Sequence, residues 1–190
     1  MNILILNGSP RKQGKISSLL HEAEKSLIEK GNSVTFIDVS SIKFNFCIGC
    51  MACRSKGKCI LPQDDAHKVA EEIKKCDGII VGTPVYWGNM SGSLKSLFDR
   101  MVAVMMGESK WDIPVPLHKG KKALIITSCT TPFPFNILAA QTTKAEKALK
   151  EILGYSGFKV SKKIRLAGTK GMKEVPAKAL KKAREAANLF

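Results

Sequence analysis

Four of the six cysteines lie in one short run, Cys47-Ile-Gly-Cys50-Met-Ala-Cys53-Arg-Ser-Lys-Gly-Lys-Cys59. Thiols this closely spaced can hold a metal ion or an iron-sulfur cluster as thiolates, or pair as disulfides where the compartment is oxidising. Intervals of two, two and five residues let three ligands wrap one corner of a cluster while the fourth reaches back. A structural zinc site more often uses two Cys-x2-Cys knuckles separated by a longer spacer. Cys76 and Cys129 stand outside the run, and Cys76, on the apolar face of an expected helix, reads as a buried thiol.

Two further stretches carry chemistry. Gly8-Ser9-Pro10-Arg11-Lys12-Gln13-Gly14-Lys15-Ile16-Ser17-Ser18 combines hydroxyls, glycines and cations at the expected start of a helix. That mixture suits a phosphate, with backbone N–H groups and the positive helix end holding the anion, and Ser9, Ser17, Ser18, Arg11 and Lys15 around it. A P-loop is excluded: five residues separate the glycines, and Ile16 stands where a magnesium-binding hydroxyl is needed. The dinucleotide fingerprint G-x-G-x-x-G is absent too, and Asp38 reads as a strand-end residue with no assigned role. The second stretch, Thr83-Pro84-Val85-Tyr86-Trp87-Gly88-Asn89, sets two aromatics with polar tips beside backbone amides, which can border a flat hydrogen-bonding heterocycle. Core or interface aromatics would read the same way.

These loops need elements to hold them. Asn2 to Leu6 is a short apolar run stopped by Asn7-Gly8-Ser9-Pro10, hence a buried strand. Ile16, Leu19, Leu20, Ala23 and Leu27 recur at helical steps, and Val34 to Asp38 is a second strand. Residues 40–62 show no periodicity and hold the cysteines; a loop that long in a compact domain points to a function. Asp64 and Asp65 offer a cap for a helix ending near Cys76, Gly78 to Thr83 is a third strand, and one helix is expected to carry Leu94, Leu97, Phe98, Met101 and Met105 inward. Residues 107–120, with two prolines and two glycines, read as a plain surface connection. Ala123 to Thr127, a helix from about Ala139 to Leu153, a strand Phe158 to Leu166 and a last helix Ala177 to Leu189 complete the pattern. Strands alternating with helices call for a parallel sheet covered on both faces, with ligands beyond the carboxyl ends of the strands. One domain spanning 1–190 is expected, with the cysteine segment as an insertion.

The net charge of +15 admits nucleic acid, an anionic cofactor, an acidic protein partner or a solvated basic surface. Much of the excess falls in the last third, where no aromatics are interleaved to stack on bases, so nucleic acid is not the expected partner. No basic leader opens the chain and no apolar run reaches the ~18 residues needed to span a bilayer, so a cytoplasmic protein with reduced thiols is expected.

The motifs together carry a resemblance. Gly8-Ser-Pro-Arg, the cysteine run with Asp64-Asp65 behind it, Thr83-Pro-Val-Tyr-Trp-Gly-Asn and Leu94-Lys-Ser-Leu-Phe-Asp99-Arg100 resemble the flavodoxin-like NAD(P)H-dependent FMN reductases, and within them the iron-sulfur flavoproteins. The resemblance implies a flavodoxin-like sandwich with strand order 2-1-3-4-5 and bound FMN. Ser9, Arg11, Lys15, Ser17 and Ser18 would surround the phosphate; Pro84, Val85, Tyr86, Trp87, Gly88 and Asn89 would run beside the ring; Ser128 and Thr130 would complete its site. Cys47, Cys50, Cys53 and Cys59 would ligate a [4Fe-4S] cluster, although some such reductases keep the cysteines without one. The loop Thr130-Thr-Pro-Phe-Pro-Phe135 departs from the glycine-rich loop of many iron-sulfur flavoproteins, and Phe133 and Phe135 there could shape a substrate or nicotinamide entrance. The implied activity is electron transfer from NAD(P)H or a protein donor to a small-molecule acceptor, by a homo-oligomer. An electron carrier serving a partner such as ferredoxin is the alternative.

Overall fold

The computed structural model describes residues 1–111 and 113–190. In chain order the elements are β1 (Asn2–Asn7), α1 (Lys15–Glu29), β2 (Ser33–Asp38), α2 (Ala52–Lys56), α3 (Asp65–Lys75), β3 (Gly78–Pro84), α4 (Gly92–Arg100) and α5 (Val102–Met105). There follow β4 (Met106–Glu108), β5 (Pro114–Pro116), β6 (Lys122–Ser128), α6 (Phe135–Leu138), α7 (Gln141–Tyr155), β7 (Lys159–Leu166) and α8 (Ala177–Ala187). The large sheet runs β2-β1-β3-β6-β7, all parallel, which is the expected flavodoxin-like order 2-1-3-4-5 once the small hairpin strands are set aside.

The apolar strands are continuous because both faces of the sheet are covered, and the pleat sends alternate residues to different cores. Leu4, Leu6, Ile79, Val81, Ala123 and Ile125 point to one side, against α3, α4, α5 and α7. Ile3, Ile5, Ile80, Leu124 and Ile126 point to the other, against α1 and α8. β7 lies at an edge, buries only Ile164 and Leu166 along its length, and turns Lys159, Lys162, Lys163 and Arg165 outward. Cations along an exposed edge discourage pairing with other strands.

Three expectations need correcting. Residues 107–120 are not a plain connection: β4 and β5 form an antiparallel hairpin. Its prolines hid it, yet the hydrogen-bonded pairs are Gly107 with Val115 and Ser109 with Ile113, so Pro114 and Pro116 occupy positions where no ladder N–H is required. The helix expected to run to Met105 breaks at Met101, where β-branched Val102 and Val104 follow. The cysteine loop, expected to be irregular throughout, contains the short helix α2.

Because every strand of the large sheet is parallel, the loops after β1, β2, β3, β6 and β7 gather on one rim. The chain leaves β1 toward β2 on one side and reaches β3 on the other, so β1 and β3 flank the crevice where ligands of such sheets bind.

Candidate functional site

The β1–α1 loop is built on Asn7, which is wholly buried at the end of β1. Its Nδ2 donates to Ser17 Oγ (2.9 Å) and Asp38 Oδ1 (2.7 Å), and its Oδ1 accepts from Ser9 N–H (3.0 Å). One side chain thereby ties the loop to the first turn of α1 and to the neighbouring strand. The Gly8 N–H donates to the Gly82 carbonyl (2.7 Å), and a Cβ at Gly8 would stand 2.9 Å from the Leu94 side chain and 3.1 Å from that carbonyl. Only glycine allows so close an approach. Ser9 Oγ accepts from Arg11 N–H (3.1 Å), while Ser17 Oγ and Gly14 N–H both donate to the Arg11 carbonyl (2.8 and 3.0 Å).

The N-terminus of α1 is open. Gly14 is the cap residue and supplies no side chain, the first turn holds no acid, and the first intrahelical bond is from Ser18 N–H to Gly14 O (3.0 Å). The preceding N–H groups and the positive helix end therefore face outward with nothing negative among the side chains beside them, the arrangement that favours an anion.

Across the crevice, the loop after β3 doubles back as a tight turn: Tyr86 and Asn89 exchange backbone hydrogen bonds (2.9 Å each), with Trp87 and Gly88 at the tip in left-handed conformations, φ 52° and 73°. Trp87 is fully exposed and adopts a backbone region disfavoured for its side chain, a strain of order 1–3 kcal/mol that recurs at functional sites. Val85 N–H donates to the Ser128 carbonyl (2.8 Å), joining this loop to the one after β6. Ser91, bonded through its N–H to Thr83 Oγ1 (3.0 Å), caps α4.

Between these loops lies a cleft of about 380 Å³. It brings together Ser9, Arg11, Lys15, Pro84, Val85, Tyr86, Ser128 and Thr130 of the expected site, and no acidic side chain among the described residues lines it. Other expected residues stand elsewhere. Ser17 is buried beneath the loop, Ser18 turns its hydroxyl to Gly14 O (3.1 Å), and Trp87, Gly88 and Asn89 lie at or beyond the rim. Lys15 reaches across to the Lys173 carbonyl. The cleft also has a wall the sequence did not announce, Thr169 to Met172 after β7. Thr169 donates to the Cys129 carbonyl through N–H (3.1 Å) and Oγ1 (3.0 Å), and Gly168 N–H to Thr131 O (2.9 Å), so this loop is fastened to the one after β6. The available signal was topological: a fifth parallel strand must deliver its loop to the same rim. Cys129 lines the cleft as well, its thiol pushed up by burial.

The cysteine segment is less assembled. Cys47 and Cys50 are exposed and Cys53 and Cys59 half-buried. Burial, and then the neighbouring thiols of Cys47, Cys59 and Cys50, push the Cys53 thiol up, so the four share a neighbourhood. They are not gathered into a ligand set: among the described residues no three His, Cys, Asp or Glu side chains are grouped to hold a metal ion. The donors are chemically right for a thiolate-bound metal, but this geometry does not fit one. At the base of the segment Asp64 caps α3 and pairs with the buried Arg100. Burial would raise the Asp64 carboxyl, but hydrogen bonds from Arg100, Asn45 N–H and His67 outweigh it and hold it at about 2.

A parallel sheet in this order, with an uncapped, acid-free helix start after its first strand and a cleft at its topological switch point, defines a flavodoxin-like protein. A family model described as "Flavodoxin-like fold" matches residues 1–189, and the chain belongs to that family. It is 38% identical over 107 residues to an iron-sulfur flavoprotein of Methanocaldococcus jannaschii, a match covering 56% of this chain and 55% of the relative. The alignment thus spans about half the length of that relative. It is 30% identical over 172 residues to FMN-dependent NADH:quinone oxidoreductase 1 of Colwellia psychrerythraea, covering 83% of this chain and 85% of the relative. Among solved structures, the FMN-dependent NADH-azoreductase of Bacillus anthracis in complex with FMN superimposes with a TM-score of 0.76 at 15% identity, covering 99% of this chain and 98% of that one.

Proposed function

We propose that the chain is an FMN-dependent oxidoreductase that passes electrons from NAD(P)H to a small acceptor of the quinone class. The observation that carries this reading is the uncapped, acid-free N-terminus of α1 opening into a cleft lined by Arg11, Ser9 and the Pro84–Tyr86 backbone. When bound, FMN supplies the redox chemistry, so no acid or nucleophile of the protein is needed for the electron transfer itself. The chain's work is to bind and orient. Arg11 and the free N–H groups of the first turn hold the phosphate, with Ser9 and Ser17 fixing the loop. The backbone of Pro84 to Tyr86 and the hydroxyls of Ser128 and Thr130 face the ring. Tyr86, half-exposed, limits access from the rim.

Support comes from the family, from the FMN-dependent relative aligned over most of both chains, and from the absence of acids in the cleft's described lining. Tyr86, Trp87 and Phe133, on the loops of this rim, and Phe135 and Leu138, on α6, are exposed apolar groups, and a homo-oligomer covering some of them fits the reading. The test is steady-state oxidation of NADH and NADPH by the FMN-loaded protein with a quinone acceptor. Turnover with either donor is expected. No turnover with either, alongside rapid reduction by ferredoxin, would replace the enzyme by an electron carrier, a reading the +15 charge favours through attraction of acidic partners.

A further inference from the structure

Helix α7 turns Thr142, Ala145, Glu146, Leu149 and Leu153 into the protein, so its first turns bury an alcohol and a carboxylate where its later turns bury leucine. Glu146 is only 2% exposed. A carboxylate gives up its hydration when buried and needs partners in exchange. Its partners here come from two strands. Arg165 of β7, though exposed along the edge, donates through Nε to Glu146 Oε1 (2.5 Å) and through a terminal nitrogen to Oε2 (2.6 Å). Lys163 Nζ stands 3.6 Å from Oε2, and Thr127 Oγ1, wholly buried on β6, lies 3.4 Å from Oε1. Thr127 and Arg165 are opposite each other, one rung before the β6–β7 pairing ends. One carboxylate therefore holds the carboxyl ends of both strands to α7.

Those two strand ends carry one wall of the rim cleft. Ser128, Cys129 and Thr130 follow Thr127 directly, and Thr169 to Met172 follow Arg165 after a short link. Cys129 N–H donates to the Leu166 carbonyl (3.0 Å), which adds to the bonds from Thr169 and Gly168, so a shift of either strand end is passed to both loops. α7 supports the first loop a second time. Asn136, 1% exposed, donates through N–H to the Pro132 carbonyl (3.1 Å) and through Nδ2 to Thr142 Oγ1 (3.1 Å), one helical turn before Glu146. β7 has reason to need such a tie: it is an edge strand with one neighbour, its pairing is irregular at Ala123/Leu124, and it buries only Ile164 and Leu166. Apolar residues could stabilise this contact as well as a buried ion pair does, but a forked guanidinium–carboxylate pair fixes a single geometry.

We propose that Glu146 is a positioning residue for the flavin ring, fixing through Arg165 and Thr127 the places of the two loops, 128–130 and 169–172, that wall the ring's side of the cleft. This rests on reading the cleft as the FMN site. The phosphate end is built separately, on Asn7 and the start of α1. Loss of the Glu146 tie should therefore act on the ring and leave the phosphate contact as it was. A binding site whose supporting side chains are loosened keeps its groups but loses their alignment.

FMN and riboflavin, which share the ring and differ in the phosphate, separate the two ends. The flavin-free full chain is titrated with each as wild type, Glu146→Gln, Arg165→Gln and the double variant, with circular dichroism as a check on folding. Ile73→Val, a small loss in the core outside the cleft lining, serves as a control for general destabilisation. Glu146→Gln is expected to weaken both flavins by the same factor, about tenfold, leaving the FMN-to-riboflavin ratio at its wild-type value. Arg165→Gln should do the same, and it serves alone if the buried substitution does not fold, since Arg165 lies at the exposed edge. The double variant should lose no more than the larger single one, because both substitutions remove one tie. Unchanged affinities in the folded variants, a loss confined to FMN, or an equal loss in Ile73→Val would overturn the inference and leave the FMN reading intact. A wild-type protein that binds neither flavin would overturn both.

Discussion

Asn7 is the side chain on which the proposed phosphate loop depends. It satisfies donors and acceptors from the β1–α1 loop, β2 and α1 at once, in bonds that are all buried or partly buried. Asn7→Ala should destabilise the protein by about 1–3 kcal/mol, read as a shift of the urea midpoint, and should weaken FMN binding as well. Arg11→Ala should leave stability within about 0.5 kcal/mol, since Arg11 is exposed, yet raise the FMN Kd roughly tenfold by removing a charge-assisted contact. A titration showing no loss for Arg11→Ala would place the phosphate elsewhere. Ser9 and Arg11 could be singled out because glycine, hydroxyl and cation next to a helix start suit an anion, and both line the cleft. Asn7 could not, because an asparagine ending a strand looks like turn chemistry until topology supplies Asp38 and Ser17 as its partners.

At the level of elements, α3 shows how one cap joins two tasks. Asp64 satisfies the N-terminus of α3 and neutralises Arg100, so Asp64→Ala leaves a buried guanidinium unpaired and should destabilise by about 3–5 kcal/mol. Its carboxyl is held at about 2, below the ordinary range near 3.9. A depressed folded value means that Asp64's stabilisation is complete above the unfolded value and is lost as pH falls toward 2, so Asp64→Asn should flatten the acid limb of the stability profile. Gly8→Ala tests the contact between the first loop and β3: a methyl 3.1 Å from the Gly82 carbonyl should be destabilising by about 1–3 kcal/mol. Strands and long helices were readable from period and stop signals. The β4–β5 hairpin was not, because prolines normally argue against strands and only the pairing register shows that these two donate nothing the ladder needs. The wall at Thr169 to Met172 escaped because its one lysine and one glycine carry no signal apart from their place after a fifth strand.

For the molecule as a whole, the alternation of apolar runs with amphipathic stretches determined the parallel sheet, and order 2-1-3-4-5 came from the resemblance rather than from any local pattern. No helix among the described residues is long and apolar enough to cross a membrane. Stability should also respond near neutral pH. His118 is buried, stacked on Phe158, and its Nε2 lies 2.7 Å from the Val104 carbonyl. Burial lowers its proton affinity, opposed by the Val104 bond and aided by Lys121. The unfolded chain therefore binds the proton more tightly, and stability should fall as pH drops through about 6.5 and below, an effect that His118→Gln should reduce.

In the proposed function the rim cleft takes FMN by its phosphate at the start of α1. Parallel titrations of the flavin-free protein with FMN and with riboflavin, which lacks the phosphate, test it most directly. Riboflavin should bind at least about 100-fold more weakly, roughly 2.7 kcal/mol, and the gap should shrink in Arg11→Ala. Equal affinity for the two flavins, or no affinity for either, would contradict it.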